Sequence, residues 1–411
     1  MKLEILNHWW KERRVRKEFI PEIKRNLFYE LIPYLNKKQI ISLVGLRRVG
    51  KTTMLYQLIQ YLIEKGVDPF HILYFSFDEE KEDLDEILGY YEKEILKKNL
   101  AKERVFLFLD EIQKLEKWQD KLKFLYDTHP KMKIIISGSA SIDLIFHGKE
   151  TLAGRIFYFY LDLLSFDEFL KFKNVSIEKI KKRPELWREE IETLVREYLE
   201  KPFPEIVNAS GIFVKKYLKE GIVDRVIIKD IKELFEIRGF EVLEKLIKLI
   251  FLNPGLIMNL EQFSKELGIS RQALSNYLYY LETTYLIRSA GNFRGSIRAS
   301  SRKLRKYYPV HPCFSLAFNC EDKGKFIENL VLFLTKAKYY WREKEKEVDF
   351  VLENITPVEV KFKKEIKRQD FKYLEYFMKK FKCKKALMIS KNTETKKGKI
   401  KIIPLWKFIL K

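Results

Sequence analysis

The pattern of apolar and polar positions changes along the chain, and it predicts several kinds of element in succession. From residue 38 to residue 165, short apolar runs alternate with segments whose apolar residues recur at helical spacing. The predicted strands lie at 40–44, 71–77, 104–109, 133–137 and 156–161. This alternation is typical of a parallel sheet covered by helices, with a ligand site at the carboxyl ends of the strands.

The segments on either side of this block are predicted to be helical. In residues 1–37, Pro21 suits a first helical turn, and Ile23, Leu27 and Leu31 fall on one face. In residues 166–240 the strand patterns fade and helical patterns remain. We therefore expect a small helical lid over the ligand.

Residues 241–320 predict a helix-turn-helix domain. Three helices are expected, at 241–251, 260–267 and 270–282. Gly268 marks the break between the last two, and Ser270 is a suitable N-cap for the third. The spacing is that of a helix-turn-helix, and the basic stretch that follows would form the wing of a winged helix.

Residues 321–411 predict a small α/β domain. The run 326–334 reads as a buried helix, and 347–351 and 358–361 read as strands joined by a turn. Because side chains alternate along a strand, Glu359 and Lys361 point to the same face.

The most specific motif follows the first predicted strand. Residues 45–52, GLRRVGKT, match the phosphate-binding pattern G-x-x-x-x-G-K-[ST]. Backbone amides of such a loop hold phosphates, Lys51 reaches the β and γ oxygens, and the Thr52 hydroxyl binds Mg²⁺. The predicted nucleotide-binding residues are Gly45, Leu46, Arg47, Arg48, Val49, Gly50, Lys51, Thr52 and Thr53.

A triphosphatase also needs acids at the end of a neighbouring strand, and Asp110 and Glu111 follow such a strand. Asp110 is predicted to hold the Mg²⁺ ion through its water shell, and Glu111 to polarise the attacking water as a general base. The alternative is that the two acids only cap a buried strand.

Three further residues could act on the nucleotide. Ser137 or Ser139 could contact the γ-phosphate, although a hydroxyl that caps the next helix explains each serine equally well. Arg155 could stabilise charge in the transition state as an arginine finger, or it could be an ordinary surface arginine.

The net charge and composition of the chain indicate what kind of molecule it binds. The 80 Lys and Arg residues outnumber 58 Asp and Glu residues, giving a formal net charge of +22. An excess of this size favours a polyanionic partner, with nucleic acid, DNA first, ahead of a membrane. The three cysteines and five histidines have no zinc-site spacing, and no apolar run is long enough to span a bilayer, so we expect a cytoplasmic protein.

The second helix of the predicted helix-turn-helix carries polar side chains suited to a major groove, and a basic stretch without acids follows it. The predicted DNA-binding residues are Arg271, Gln272, Asn276, Arg294, Arg298 and Arg302. The alternative is a winged helix that serves only for packing against the ATPase or a protein partner.

The C-terminal block carries a second possible reaction centre. Asp349 and Glu359 could share a divalent metal, Lys361 could orient the attacking water, and Glu328 could add a carboxylate. This arrangement would hydrolyse a phosphodiester bond. The spacing is degenerate, so charged residues on a solvated hairpin are an open alternative.

Taken together, the motifs GLRRVGKTT, FLDEIQ, SGSAS, LAGRIFYFYLDLLSFDEFL, EVDFVL and PVEVK resemble those of a known family. It is the group of archaeal and bacterial AAA+ ATPases that join a P-loop domain and helical lid to a winged helix and a PD-(D/E)xK nuclease-like tail. The resemblance implies ATP and Mg²⁺ as cofactors and places Asp349, Glu359 and Lys361 in the nuclease-like core.

Three functions remain open at this level. The first is an ATP-hydrolysing protein coupled to DNA. The second is a signalling or defence switch whose C-terminal half binds a protein. The third is a metal-dependent DNA nuclease. A homo-oligomer is compatible with each of them, and Arg155 could then act within its own chain or on a neighbour.

Overall fold

The computed structural model describes residues 3–78, 82–138, 151–232, 240–295 and 304–411. The chain forms two compact units, Met1–Leu163 and Leu164–Lys411. Ser139, Arg298 and Arg302 lie outside the described residues. In the described part, no helix combines the length and the apolar character needed to cross a membrane.

The first unit is built from alternating strands and helices. Its helices are α1 (Leu3–Leu6), α2 (Trp9–Glu12), α3 (Asn26–Leu31), α4 (Lys51–Glu64), α5 (Leu84–Tyr90) and α6 (Trp118–Thr128). Its strands are β1 (Ile40–Val44), β2 (Ile72–Ser76), β3 (Phe106–Asp110), β4 (Lys133–Gly138) and β5 (Ile156–Tyr160). Short 3₁₀ turns occupy Lys17–Phe19, Ile32–Asn36, Pro69–His71 and Ile112–Lys114, and a wider π turn occupies Tyr91–Leu96.

The five strands form one parallel sheet in the order β2-β3-β4-β1-β5. All residues of β1 to β4 are buried, which explains why these strands read as continuous apolar runs. The predicted parallel α/β sheet is confirmed, and its strand bounds move by two residues at most.

The N-terminal segment departs from the helical prediction. Its helices are short, and residues 20–25, which include Pro21, are not helical. Instead of forming one long helix, the segment covers the exposed edge of β2. The indole N–H groups of Trp9 and Trp10 donate to the carbonyl oxygen of Ile72 at 3.3 and 2.9 Å. Covering an edge strand in this way prevents its pairing with another chain.

The second unit begins with helices and continues into a large sheet. Its helices are α7 (Phe166–Phe172), α8 (Ile177–Lys182), α9 (Arg188–Glu200), α10 (Gly211–Lys216), α11 (Phe240–Leu252), α12 (Leu260–Glu266), α13 (Arg271–Thr283), α14 (Pro312–Ala317), α15 (Lys323–Thr335), α16 (Lys372–Lys380) and α17 (Leu405–Phe408). Turns of 3₁₀ type occupy Pro184–Trp187, Pro204–Ile206 and Arg368–Phe371, and π turns occupy Tyr217–Val223 and Val226–Ile231.

The strands of this unit are β6 (Leu256–Met258), β7 (Ile287–Asn292), β8 (Arg305–Pro309), β9 (Tyr339–Glu343), β10 (Lys346–Val351), β11 (Pro357–Lys361), β12 (Ala386–Ser390), β13 (Thr395–Lys397) and β14 (Ile400–Pro404). They form a sheet in the order β13-β14-β12-β11-β10-β9-β7-β8-β6. β7 pairs with β9 in parallel, so residues on both sides of the predicted boundary at 320/321 share this sheet.

Local predictions for this unit agree with the elements observed. α12 and α13 follow the predicted pair of helices, and the Ser270 hydroxyl accepts the Ala273 N–H at 3.1 Å as the expected N-cap. The segment 166–232 is helical, as predicted. The finer domain boundaries and the role of this segment as a lid stay predictions.

Candidate nucleotide site and a second carboxylate cluster

The phosphate-binding loop joins the end of β1 to the start of α4. A Cβ atom at Gly45 would overlap the Leu161 carbonyl oxygen, so only glycine fits there. Gly50 has φ 99° and Arg48 has φ 61°, both in the left-handed region, and together they turn the chain into the helix. The loop geometry thus explains why both glycines of the motif are needed.

Lys51 is the first residue of α4, and its side chain folds back into the loop. Its ammonium donates to the carbonyl oxygens of Gly45 at 3.0 Å and Leu46 at 3.1 Å. The amino terminus of a helix of 14 residues also lies here. Unpaired amides, the helix dipole and the ammonium all favour a bound anion at this point.

Asp110 ends β3, and four donors surround its buried carboxylate. The Thr52 hydroxyl donates to Oδ2 at 2.6 Å, and the Tyr74 hydroxyl donates to the same oxygen at 3.2 Å. The Ser137 hydroxyl and the Glu111 N–H donate to Oδ1. The structure therefore brings together four of the sequence-predicted residues and adds Tyr74.

Competing effects act on this carboxyl group. Burial, followed by the charge of Glu111, raises the pKa of Asp110, whereas the hydroxyls of Ser137 and Thr52 and the charge of Lys51 oppose the rise. A nearby cation would favour the ionised form further. The chemistry of the donor set fits Mg²⁺, which prefers oxygen ligands, because a hydroxyl and a carboxylate lie side by side at a phosphate-binding loop.

Glu111 occupies a strained position directly after β3. Its backbone has φ 52°, in the left-handed region, and its carboxylate accepts an N–H from Gln113 at 2.5 Å. Non-glycine residues adopt this conformation at some energetic cost, and such positions cluster at functional sites. The predicted role of Glu111 in polarising the attacking water stays a prediction.

Sequence reasoning missed Arg25, which braces the phosphate-binding loop from outside the motif. Its guanidinium donates to the carbonyl oxygen of Val49 at 2.9 Å and to those of Asp162 at 2.8 Å and Leu163 at 3.2 Å. Gln57 holds the preceding segment by donating to the Pro21 carbonyl at 3.0 Å. Nothing in the local pattern around Arg25 marks it, because its partners are distant in sequence.

Arg155 lies far from the phosphate-binding loop of its own chain. Its carbonyl accepts the Ile40 N–H at 2.8 Å, at the start of β1, whereas Gly45 follows the end of that strand. A strand of five residues separates the two by roughly 16 Å. The guanidinium pairs instead with Asp127 at 3.1 Å. The structure therefore does not bring Arg155 to the phosphate-binding loop of its own chain, and its role as an arginine finger, within the chain or on a neighbouring copy, stays a prediction.

The C-terminal candidates also come together. Asp349 Oδ2 accepts the Val360 N–H at 2.7 Å, and Glu359 Oε2 accepts the Asp349 N–H at 3.4 Å. Lys361 pairs with Glu359 Oε1 at 2.6 Å. Burial, and then the charges of Glu359 and Glu328, raise the pKa of Asp349 well above its usual value.

A lysine of the basic stretch that follows the helix-turn-helix completes this cluster. Lys306 in β8 is buried, and its ammonium pairs with Glu328 at 3.2 Å and with Glu347 at 2.5 Å. The Tyr308 hydroxyl donates to the same oxygen of Glu328 at 2.6 Å. Burial disfavours the ammonium, but Glu328, Asp349 and Glu347 outweigh it and raise the pKa of Lys306.

This arrangement does not suit a metal as it stands. In the part of the chain that the structure describes, no three or more His, Cys, Asp or Glu side chains are placed to hold a metal ion. Lys306 and Lys361 already supply positive charge to the carboxylates. The shared metal of Asp349 and Glu359 therefore stays a prediction that needs the lysines to move.

The predicted DNA-binding residues that are described lie at the protein surface. Arg271 and Gln272 are exposed on α13, and Gln272 donates to the Asn276 side chain at 2.9 Å. Arg294, which follows β7, is exposed as well. Lys306 is the exception in the basic stretch, since its ammonium lies among carboxylates and cannot reach a phosphate.

Comparison with known proteins agrees with the site geometry. Residues 37–170 match the model of an AAA domain. Residues 192–313 and 323–408 match two domains of unknown function, DUF8612 and DUF4143. The first match covers the phosphate-binding loop, Asp110 and Glu111, so this part of the chain is a P-loop ATPase domain of the AAA class.

Relatives match over nearly the whole chain. The uncharacterized protein MJ1544 of Methanocaldococcus jannaschii is 30% identical over 94% of this chain and 91% of its own length. A second protein of that organism, MJ1637, is 30% identical over 99% of this chain and 93% of its own length. The solved ORC2 protein of Aeropyrum pernix is 12% identical over 74% of this chain and 94% of that one, with a TM-score of 0.37, which is too low to bear on fold or function.

The similarity to MJ1544 covers nearly the whole of both chains, and the site geometry agrees with the AAA domain match. The chain belongs to the same family as the uncharacterized protein MJ1544 of Methanocaldococcus jannaschii, and it carries an AAA domain at residues 37–170.

Proposed function

We propose that the chain binds ATP with Mg²⁺ at the phosphate-binding loop, hydrolyses it, and couples the nucleotide state to DNA binding by its second unit. The observation that carries the proposal is the contact of Thr52 with Asp110 at 2.6 Å, beside the ammonium of Lys51. A hydroxyl, a buried carboxylate and an ammonium at the amino terminus of a helix are the groups that a metal-bound triphosphate requires.

Each residue has a distinct part in this reaction. Lys51 and the loop amides bind the phosphates, and Thr52 and Asp110 hold Mg²⁺, which neutralises phosphate charge when it is bound. Glu111 accepts a proton from the attacking water or orients it. Ser137 keeps Asp110 in place through its hydrogen bond, which connects the end of β4 to the metal side of the site.

Hydrolysis is tested with variants of the loop and of the water-activating acid. Lys51→Ala should lose nucleotide binding. Glu111→Gln should keep binding and lose turnover by roughly a hundredfold or more. Lys65→Ala, an exposed lysine at the other end of α4, is the matched control and should behave as the parent. Normal turnover in Lys51→Ala would contradict the site assignment.

The DNA part of the proposal rests on the second unit. α12 and α13 with the antiparallel pair β7 and β8 have the order of a winged helix, and the exposed face of α13 presents Arg271 and Gln272. The formal charge of +22 gives a polyanion an electrostatic reason to bind. We infer that α13 is the helix that enters the major groove.

This part is tested by measuring duplex DNA binding over a salt series with ATP, with ADP and without nucleotide. Binding should weaken steeply with salt and differ between the nucleotide states. Gln272→Ala should weaken binding, whereas Gln262→Ala should not. Both glutamines are exposed and bond a side chain one turn further on, but Gln262 lies on α12. Absent or salt-insensitive binding would favour a switch that acts on a protein partner.

The nuclease-like cluster supports a second candidate function, DNA cleavage. The observation in its favour is that β10 and β11 bring Asp349, Glu359 and Lys361 together. Labelled DNA incubated with Mg²⁺ or Mn²⁺ tests it. Cleavage that persists unchanged in Asp349→Ala would exclude this cluster, and cleavage that is lost would assign it.

A further inference from the structure

The Oδ2 atom of Asp110 receives two hydroxyl groups, and only one of them belongs to the phosphate-binding motif. Thr52 donates to Oδ2 from the start of α4, at 2.6 Å. Tyr74 donates to the same oxygen from the middle of β2, at 3.2 Å. Tyr74 and Asp110 lie on adjacent parallel strands, with Ser76 opposite Asp110, so the phenol reaches along the sheet by two residues.

Packing explains the aromatic ring of Tyr74 but not its hydroxyl group. The ring is buried among aromatic neighbours, with the Tyr56 centroid at 4.9 Å and the Trp9 centroid at 6.5 Å. A phenylalanine would fill that space equally well but would lose the hydroxyl's hydrogen bonds with Asp110 and Tyr56. Burial, and next the charge of Asp110, raise the pKa of Tyr74 well above its usual value, so the phenol stays protonated and remains a donor.

The N-terminal segment fixes the backbone from which Tyr74 projects. The side chain of Asn7, fully buried, pairs with both main-chain groups of Tyr74. Its Oδ1 accepts the Tyr74 N–H at 2.7 Å, and its Nδ2 donates to the Tyr74 carbonyl at 2.9 Å. This amide takes the place of a neighbouring strand at the edge of the sheet, and it does so at the residue that contacts Asp110.

We propose that Tyr74 is a positioning residue that sets the metal-binding oxygen of Asp110, and that Asn7 holds Tyr74 in place for this purpose. The inference rests on the proposed nucleotide function and adds a part to it. A carboxylate oxygen held by two hydroxyls keeps one orientation before the metal arrives, so less ordering is needed on binding. The N-terminal segment then contributes to the metal site without touching the nucleotide.

The test separates metal binding from nucleotide binding. Parent and Tyr74→Phe are titrated with ADP in EDTA, and then with Mg²⁺ at saturating ADP, by calorimetry. Tyr74→Phe should bind ADP in EDTA as the parent does. Its half-saturating Mg²⁺ concentration should rise by roughly three- to tenfold, the effect of losing one hydrogen bond to a charged group.

Tyr91→Phe is the matched control. Tyr91 is another buried tyrosine beside the N-terminal segment, and its hydroxyl donates to the Phe70 carbonyl at 2.6 Å rather than to the site. It should leave both titrations unchanged, although it also loses one hydrogen bond. Asn7→Ala should shift the Mg²⁺ titration in the same direction as Tyr74→Phe. A thermal melt of each variant confirms that the chain is folded.

The outcomes distinguish this inference from the proposed function. If Tyr74→Phe matches the parent in the Mg²⁺ titration, the positioning role is wrong and the nucleotide site stands. If Tyr91→Phe shifts the titration as much as Tyr74→Phe, the effect is general loosening and the inference is again wrong. A folded parent chain that binds no ADP in either condition would overturn the proposed function and this inference together.

Discussion

Arg25 donates a hydrogen bond of 2.9 Å to the carbonyl oxygen of Val49, inside the phosphate-binding loop. The same guanidinium holds the carbonyls of Asp162 and Leu163 just beyond β5. Arg25, in the N-terminal segment, thus connects the phosphate-binding loop to the residues that follow β5. It restrains the loop although Arg25 itself lies outside the motif.

Replacing Arg25 should weaken nucleotide binding. In Arg25→Met the Val49 carbonyl loses a charged partner, and hydrogen bonds to charged groups are worth about 1.5–3 kcal/mol. We expect ADP affinity to fall by roughly tenfold or more, together with a lower melting temperature. Arg13→Met is the control, since Arg13 makes an exposed pair with Asp68 and should change neither value by much. Unchanged ADP affinity in Arg25→Met would contradict the bracing role.

The buried ammonium of Lys306 should be a major contributor to the stability of the second unit. Lys306→Met leaves the half-buried Glu328 without its ammonium partner and leaves Glu347 with only Arg342 at 3.8 Å, and breaking one partner of a buried pair costs up to about 3–5 kcal/mol. Denaturant unfolding measures this loss. Lys401→Met, an exposed lysine on β14 of the same sheet, should stay close to the parent. The idea fails if the two variants are equally stable.

His311 should make the second unit sensitive to acid. Burial, and then the charge of Arg288, lower its pKa well below the usual value, and its Nδ1 accepts the Cys313 N–H at 3.2 Å. Below about pH 6.5, His311 is therefore protonated in the unfolded chain but stays neutral in the folded chain. Stability is retained above that pH and is lost as the pH falls below it.

The measurement compares unfolding free energies at pH 7.5 and 5.5. The parent should lose up to about 1.4 kcal/mol more than His311→Asn over this interval, the value for a group with an unfolded pKa of 6.5 that stays neutral when folded. Asparagine keeps an acceptor for the helix cap but does not titrate. Equal losses in the two proteins would show that His311 is not the group responsible.

Arg155→Ala should leave ATP turnover of the isolated chain unchanged, because the guanidinium lies at the opposite end of β1 from the phosphate-binding loop. Its pair with Asp127 is partly exposed, so its loss should cost no more than about 1 kcal/mol. Turnover is measured at several protein concentrations. A loss that appears only at high concentration would mean that Arg155 acts on a neighbouring copy, and Asp127→Ala separates that effect from loss of the ion pair.

The sequence was informative where the chemistry depends on a contiguous motif. The glycines, lysine and threonine at 45–52 and the acids at 110–111 follow from backbone turns and from phosphate and metal chemistry, so their placement at the ends of β1 and β3 could be predicted directly. Arg25 and Tyr74 could not, because each contacts residues more than twenty positions away through the fold. Pairs of this kind leave no spacing pattern along the chain.

The burial of Lys306 could not be predicted from the sequence for a different reason. Lys306 belongs to a stretch of basic residues, and net charge alone places it on the surface with its neighbours. Along β8, however, Arg305 is exposed and Lys306 is buried, because successive side chains point to opposite faces. Whether the inward face met carboxylates could not be known until β10 and α15 were placed beside it.

The pairing of β7 with β9 has a mechanical consequence for the whole second unit. Main-chain hydrogen bonds join the two strands. The Gly291 N–H donates to the Lys338 carbonyl at 2.9 Å, and the Phe293 N–H donates to the Tyr340 carbonyl at 2.7 Å. Shifting β7 and β8 relative to β9 and β10 would break these bonds and the ion pair of Lys306 with Glu347. The strands that follow α13 and the strands that carry Asp349 and Glu359 are therefore expected to move together, so a load on one part of the sheet is passed to the other.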